Sequence, residues 1–365
     1  MDDPPPGHLV VVAHARGMGG SSRSLLSLLE HLPRDLTRTF VGPAAGAVHR
    51  AIRAGELTDR EIELDWRASA TPLRAIAAGV RVRRGPGVGA IHANGTADLL
   101  LALPAGVLAR APIVVWVHDE AVKRWARRLR RLVRLAPVEV RWATVSPSSI
   151  EMVAEAGLAR RDEIELVPNP IDPVTVVADR IDERPGPRRI AFLGNSTDRK
   201  GFDLLPDIVE RLADLDVTLV VYCRETERDD DRMVAVWRRL EGLGTAVEVA
   251  GRVAEPRDAL GSADVVLVPS RSESFGRVIA EAQLNGLPVV ASDLAPFRWL
   301  VEDGVDGVLF PVGDVDAAAE GVRRALSDEL RRSARTAGPA SAARFGPERV
   351  TAQLLGLYGM ERRAD

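Results

Sequence analysis

Two glutamates stand eight residues apart in Val268-Pro-Ser-Arg-Ser-Glu-Ser-Phe-Gly-Arg-Val-Ile-Ala-Glu-Ala-Gln-Leu-Asn-Gly286, Glu273 ahead of a helical pattern and Glu281 within it. A carboxylate in such a loop accepts hydrogen bonds from sugar hydroxyls, and one a turn or two into the helix accepts them from a ribose. Backbone N–H groups near Phe275 and Gly276, at the helix start, suit phosphate oxygens. One segment of this kind holds three parts of a nucleotide sugar. The plainer reading of the same pair is a helix cap and a solvated side chain.

Arg199 and Lys200 stand together in Phe192-Leu-Gly-Asn-Ser-Thr-Asp-Arg-Lys-Gly-Phe202, just before an expected helix start, where cations and the helix dipole converge on one diphosphate. A solvated charged turn is the alternative. Lys200 and Lys123 are the only lysines in a chain whose 49 basic residues are otherwise arginine, which singles Lys200 out. Nearer the start, His14-Ala-Arg-Gly-Met-Gly-Gly-Ser-Ser22 is a glycine-rich turn opening a helix with Leu25, Leu26, Leu28 and Leu29 as apolar positions. Such a turn lets a phosphate approach the backbone closely, or is simply a tight strand-to-helix connection. Gly17, Gly19 and Gly20 do not keep the G-x-G-x-x-G spacing, which disfavours a nicotinamide cofactor.

Short apolar runs alternate with longer helical patterns, the mark of βαβ units and parallel sheets buried on both faces. The first series is Leu9–Ala13, Arg38–Gly42, Glu61–Leu64, Ala90–Ala93, Ile113–Val117, Val140–Val145 and Ile164–Val167. After Asp182-Glu-Arg-Pro-Gly-Pro-Arg188, read as a linker, the alternation restarts with Arg189–Leu193, Val217–Tyr222, Ala246–Ala250, Asp264–Val268, Pro288–Ala291 and Gly307–Phe310. Two doubly wound domains are expected, 1–181 and 189–342, leaving a cleft between them, with ligands bound beyond the carboxyl ends of the strands.

The 365 residues suit two domains, and 46% hydrophobic with 28% charged residues is the composition of a soluble globular protein. A net charge of −3 argues against general nucleic-acid binding. The single cysteine, Cys223, reads as a core residue and fits a reducing, cytoplasmic setting. No secretory signal is read at Met1–Gly7, and Leu99–Val117, interrupted by Pro104, Arg110 and Pro112, reads as a buried helix and strand rather than a membrane span.

The run Ala263–Gly313 resembles the signature region of glycosyltransferase family 4. Its E-x7-E motif matches Glu273 and Glu281, within Ala-Asp-Val-Val-Leu-Val-Pro-Ser270, Gly-Leu-Pro-Val-Val-Ala-Ser292 and Glu-Asp-Gly-Val-Asp-Gly307. The resemblance extends, in order, to Gly17–Ser21, His118-Asp119, Val145-Ser146, Pro-Asn-Pro-Ile-Asp172 and Lys200-Gly201. It implies an α/β protein of GT-B architecture, two Rossmann-like doubly wound parallel-sheet domains facing across a cleft, with a last segment, 343–365, crossing back to the first domain. It also implies a retaining glycosyltransferase that moves a hexose-type sugar from a nucleoside-diphosphate sugar, UDP or GDP favoured, to a hydroxyl acceptor. By this resemblance His118, Lys200 and Glu273 are the catalytic group. His118 meets the transferred sugar, Lys200 neutralises the leaving diphosphate and Glu273 holds sugar hydroxyls. Gly19, Gly20, Asn195, Arg199, Arg252, Val253, Phe275, Gly276 and Glu281 line the donor.

Two positions depart from the family pattern: Asn195 stands where an arginine is usual, and Trp299 where an acid is expected after Ser292-Asp293. They keep open a nucleotide-sugar epimerase or phosphorylase of the same architecture, and a non-catalytic nucleotide-sugar-binding protein. No metal or other cofactor is expected. Asp229-Asp-Asp231 lies in a charged run, and Asp314-Val-Asp316 reads as a helix cap. From Lys123 to Arg134 there are seven basic residues and no acid, with Trp125, Leu129, Leu132 and Val133 at helical spacing. This is either a peripheral contact for an anionic membrane or acceptor, or a core-facing stripe beneath a solvated face.

Overall fold

The computed structural model describes residues 7–64, 71–85, 87–118, 122–172, 186–223, 231–251, 253 and 256–361. The chain forms two compact units, one of Met1–Asp172 with Phe345–Asp365 and one of Pro173–Arg344. The division therefore falls at Asp172, earlier than the stretch 182–188 read as a linker. Most of that stretch lies outside the described residues.

Seven parallel strands build the first unit: β1 (His8–Val12), β2 (Thr37–Gly42), β3 (Arg60–Glu63), β4 (Ala90–Ala93), β5 (Ile113–Val117), β6 (Val140–Thr144) and β7 (Ile164–Leu166). Their order is β3-β2-β1-β4-β5-β6-β7. Six parallel strands build the second: β8 (Arg188–Leu193), β9 (Val217–Tyr222), β10 (Val247–Val249), β11 (Val265–Val268), β12 (Val289–Ser292) and β13 (Gly307–Phe310). Their order, β10-β9-β8-β11-β12-β13, reverses direction beside the first strand of the unit, as in the first sheet. Such a reversal parts the two flanking loops and opens a ligand crevice at the carboxyl ends of the strands. All thirteen expected strands form, with ends displaced by one residue at most.

The central strands β1 and β5 are buried along their whole length, as parallel strands covered on both faces must be. Leu99–Ala109 is a helix packed on β4 and β5, most of the apolar side chains of Leu99–Val117 join the core of this unit, and among the described residues no helix is long and apolar enough to cross a membrane. Cys223 is buried in the core of the second unit.

The chain returns to the first unit through Ala343–Phe345 and the helix Pro347–Tyr358, within the last segment 343–365. Ile171 N–H donates to the Phe345 carbonyl at 2.8 Å, and Arg141 Nη1 donates to the Leu357 carbonyl at 2.5 Å. The Tyr358 hydroxyl meets His92 Nδ1 at 2.8 Å, while His92 Nε2 lies 3.4 Å from Asn94 Oδ1. With Nε2–H pointing at the amide oxygen, Nδ1 accepts the tyrosine proton, and burial pushes the His92 pKa down to about 4.

That depression makes the fold acid-sensitive. An unfolded histidine takes up its proton near pH 6.5, whereas His92 in the fold resists protonation until about pH 4. Its contribution is therefore intact above pH 6.5 and is lost as pH falls through that window, by about 2 kcal/mol between pH 7 and pH 5. Urea denaturation at the two pH values is expected to show this loss, and His92→Asn, which keeps an acceptor for Tyr358, to reduce it. An undiminished loss in the variant would assign the sensitivity to other groups.

Candidate functional site

In the second unit the expected residues converge on two loops. After β8 the chain runs through the single turns Asp198–Lys200 and Phe202–Leu204, so the helix Leu205–Arg211 begins five residues beyond Lys200 rather than directly after it. Gly201 sits between the turns at φ +68°, in the left-handed region that favours glycine, and a Cβ there would overlap the Pro269 carbonyl oxygen. This contact brings Lys200 against the loop that follows β11.

The same two loops are joined by hydrogen bonds. Arg271 N–H donates to the Arg199 carbonyl at 2.8 Å, and Arg271 Nη1 donates to the Asp198 carbonyl at 2.7 Å. The Arg271 guanidinium also grips Asp203 with two bonds, at 2.6 and 2.8 Å, and the carboxylate raises the arginine's pKa above its usual value. Two residues on, Lys200 Nζ forms an ion pair with Glu273 Oε1, and Arg199 Nη1 lies 3.5 Å from Glu273 Oε2. Lys200 and Glu273 keep 22% and 13% of their side-chain surface exposed, so the pair is sheltered yet reachable by a ligand.

Beyond Glu273, Gly276 at φ +104° opens the helix Arg277–Leu284 as its cap residue. Phe275 is buried, its ring edge-on to Trp299 with centroids 6.0 Å apart. Trp299, the residue found in place of the expected acid, is in turn covered by the Arg344 guanidinium at 4.9 Å. Arg344 Nη2 donates to the Trp299 carbonyl at 2.6 Å, and burial lowers the arginine's pKa. Trp299 thus braces the backbone at Phe275 by packing. Glu281 is buried and ion-paired with Arg277 at 3.3 Å. The reading of Glu281 as a solvated side chain is therefore corrected: the helix turns that face inward.

Asn195 is exposed and Val253 half-buried, while Arg252 lies outside the described residues. Asp314 Oδ1 accepts from Ala317 N–H at 2.9 Å and caps the helix Val315–Ala325, and Asp316 pairs with Arg211 at 2.6 Å, so both carboxylates are engaged. Asp229 and Asp230 lie outside the described residues.

In the first unit, Gly19 precedes the helix Gly20–His31, and open space surrounds the positions where Gly17 and Gly19 would carry a Cβ. Ser24 Oγ donates to Asn169 Oδ1 at 2.8 Å, and His118 Nδ1 meets the same oxygen at 3.0 Å. The His118 ring, half-buried, leans on Trp116 with centroids 4.3 Å apart, and Trp116 Nε1 donates to the Val167 carbonyl at 2.8 Å. Asn169 therefore ties the glycine-loop helix to His118, a role its place in Pro-Asn-Pro-Ile-Asp172 does not reveal. His14 and Asp98 pair beside the same loop, and neither was assigned a role from the sequence. A histidine directly after a first strand was a usable signal for His14; no local pattern marked Asp98.

On the basic segment, Val122–Leu135 is a helix; the side chains of residues 123–125 lie outside the description. Leu129 is buried and Val133 packs on the core, whereas Leu132 and Leu135 are 39% and 73% exposed. Leu132 is accordingly not part of the core-facing stripe.

Two Rossmann-like units, each with its sheet reversal and with loops of this chemistry, define the class of GT-B glycosyltransferases. The chain belongs to glycosyltransferase family 4: residues 18–175 match the model "Glycosyltransferase Family 4" and residues 187–328 the model "Glycosyl transferases group 1". It is 29% identical over 343 residues to the phosphatidyl-myo-inositol mannosyltransferase of Mycobacterium tuberculosis, covering 87% of this chain and 80% of that one. It is 39% identical over 178 residues to the D-inositol 3-phosphate glycosyltransferase of Xylanimonas cellulosilytica, a match that spans 46% of this chain and only 41% of that enzyme. The Anabaena protein HepE, solved in complex with UDP and glucose, is similar in fold, with a TM-score of 0.81, 20% identity, and coverage of 98% of this chain and 100% of that one.

Proposed function

We propose that this glycosyltransferase moves a hexose-type sugar from a nucleoside-diphosphate sugar, UDP- or GDP-linked, to a hydroxyl acceptor in the cytoplasm, with retained anomeric configuration and without a metal. The observation that carries this reading is the Lys200–Glu273 pair, with Arg199 beside it, just ahead of the helix that Gly276 opens. Lys200 neutralises the leaving diphosphate and Glu273 takes up sugar hydroxyls. The N–H groups of Phe275 and Gly276 hold phosphate oxygens, and Glu281 accepts from the ribose. Asn195, Arg199, Arg252 and Val253 complete the surroundings of the nucleotide. In the first unit Gly19 and Gly20 leave room for the diphosphate, and His118 meets the sugar. The protein's contribution is then electrostatic, placing fixed charge where the leaving group becomes negative. The acceptor hydroxyl attacks from the face the diphosphate leaves.

A thermal-shift panel of UDP, GDP, ADP and dTDP tests the donor. Saturation at a hundred times the dissociation constant stabilises the native state by about 2.7 kcal/mol, so UDP or GDP is expected to raise Tm clearly and the others less. A protein indifferent to all four is not a nucleotide-sugar enzyme. The names of the inositol-directed relatives make inositol 3-phosphate and phosphatidylinositol the first acceptors to try.

We further infer that the basic helix touches anionic surfaces. Its support is the exposure of Arg127, Arg128, Arg130, Arg131 and Arg134 together with Leu132 and Leu135. The protein is expected to co-sediment with phosphatidylserine-containing vesicles and not with neutral phosphatidylcholine. Equal sedimentation with both would leave the arginines as a solvated face only.

A further inference from the structure

Arg271 lies two residues before Glu273, and Asp203 three residues after Lys200. β8 and β11 are hydrogen-bonded neighbours in the second sheet, so the loops that follow them meet within the unit Pro173–Arg344. Gly201 lets those loops approach, and Arg271 ties them together. Its backbone N–H donates to the Arg199 carbonyl at 2.8 Å and its Nη1 to the Asp198 carbonyl at 2.7 Å. Nη1 and Nη2 also donate to the two oxygens of Asp203, at 2.6 and 2.8 Å.

These acceptors stand on both sides of Lys200 in the chain, at 198 and 199 before it and at 203 after it. An ammonium on a flexible four-carbon stem is only as well placed as the backbone that carries it. Arg271 holds that backbone before and after the lysine, and its own chain reaches Glu273 two residues on. Both members of the Lys200–Glu273 pair are thus positioned from one residue. The Arg271 side chain is 34% exposed and that of Asp203 11%, so water screens this pair less than an open surface contact. Arg232 also pairs with the Asp198 and Asp203 carboxylates, from an exposed position.

The charge of Arg271 is offset by Asp203, which leaves Lys200 and Arg199 to set the positive field around Glu273. What Arg271 supplies is geometry. A planar fork bonds one carboxylate through two nitrogens and still reaches a carbonyl, which a point-like ammonium does not reproduce.

We propose that Arg271, held by Asp203, is the positioning residue for Lys200 in sugar transfer, an inference that rests on the transferase reading above. It acts on turnover by keeping the Lys200 ammonium where the diphosphate becomes negative. A misplacement of about 1 Å at such a point costs up to about a hundredfold in rate. Nucleotide binding depends on it less, because a loosened lysine still reaches a bound diphosphate.

The test measures release of nucleoside diphosphate from UDP-glucose and GDP-mannose by the full chain, with inositol 3-phosphate as acceptor, alongside nucleotide thermal shifts and urea midpoints. Arg271→Met is expected to lower kcat by about ten- to thirtyfold and to change the donor KM by less than about threefold. In a Lys200→Ala background the same substitution is expected to cost less than about twofold, because a residue that acts through Lys200 then has nothing to position. A purely structural role would cost the same in both backgrounds. Arg271→Lys, which keeps the charge and the backbone bond, is expected to recover part of the rate, and it carries the test if Arg271→Met does not fold. Asp203→Asn is expected to lower kcat in the same direction. Wild-type kcat in any of these single variants, or an equal loss with and without Lys200, overturns the proposal and leaves the transferase reading standing. A wild-type protein with neither a nucleotide shift nor release overturns the transferase reading and this inference with it.

Discussion

Lys200→Ala is expected to lower the turnover of sugar transfer by ten- to a hundredfold while the protein stays folded. A hydrogen bond to a charged group contributes about 1.5–3 kcal/mol, and about 1.4 kcal/mol is tenfold in rate. The loss should fall on kcat more than on KM, because charge on the diphosphate grows as the glycosidic bond breaks and the ammonium responds to that growth. The ion pair with Glu273 is partly exposed, so its direct contribution to stability is small, under about 1 kcal/mol. Arg199, 54% exposed and 3.5 Å from Glu273, keeps a cation near the carboxylate when the lysine is gone. Lys200→Arg is expected to recover only part of the rate, since a planar fork does not reproduce a compact ammonium. Turnover and KM for each donor, with urea midpoints for both variants, check this; an unchanged kcat removes Lys200 from the chemistry.

Gly201→Ala is expected to cost about 3 kcal/mol of stability and most of the activity. The left-handed backbone costs a residue with a Cβ about 1–2 kcal/mol, and forcing a methyl into a filled space adds about 1–3 kcal/mol. The obstacle here is the Pro269 carbonyl oxygen, which is main chain and has little freedom to yield. Relief requires the turn Asp198–Lys200 to move away from the loop after β11. That movement breaks the Arg271–Arg199 backbone bond and separates Lys200 from Glu273. Urea denaturation and turnover should therefore fall together in this variant, whereas Lys200→Ala separates them. A Gly201→Ala protein of wild-type stability would mean that the two loops are not held in contact at this point.

Much of the molecule was legible before any coordinates. Runs such as Ile113-Val-Val-Trp-Val117 and Val217-Thr-Leu-Val-Val-Tyr222 become strands because β-branched residues suit a pleated surface buried on both sides. The glycines at 201 and 276 mark left-handed backbone that only a residue without a Cβ adopts cheaply. Glu273 and Glu281 were found from spacing, because one loop and one helix carry both. The inward turn of Glu281, its bond to Arg277 and the support of Phe275 by Trp299 and Arg344 were not, since they depend on which helix face meets the sheet.

The order of strands along the chain, and with it the α/β class, the doubling of the motif and the glycine- and charge-bearing loops after the strands, follows from local patterns of apolar residues, glycines and charges. Their order across the sheet does not, because periodicity says that a strand is buried without saying beside which neighbour. That lateral order brings His14 to Asp98 across 84 residues, Lys200 to Glu273 across 73, and Ser24 to Asn169 across 145. Each pairing joins loops or helices that follow strands which the chain visits far apart. Tertiary structure alone decides which charge finds which partner.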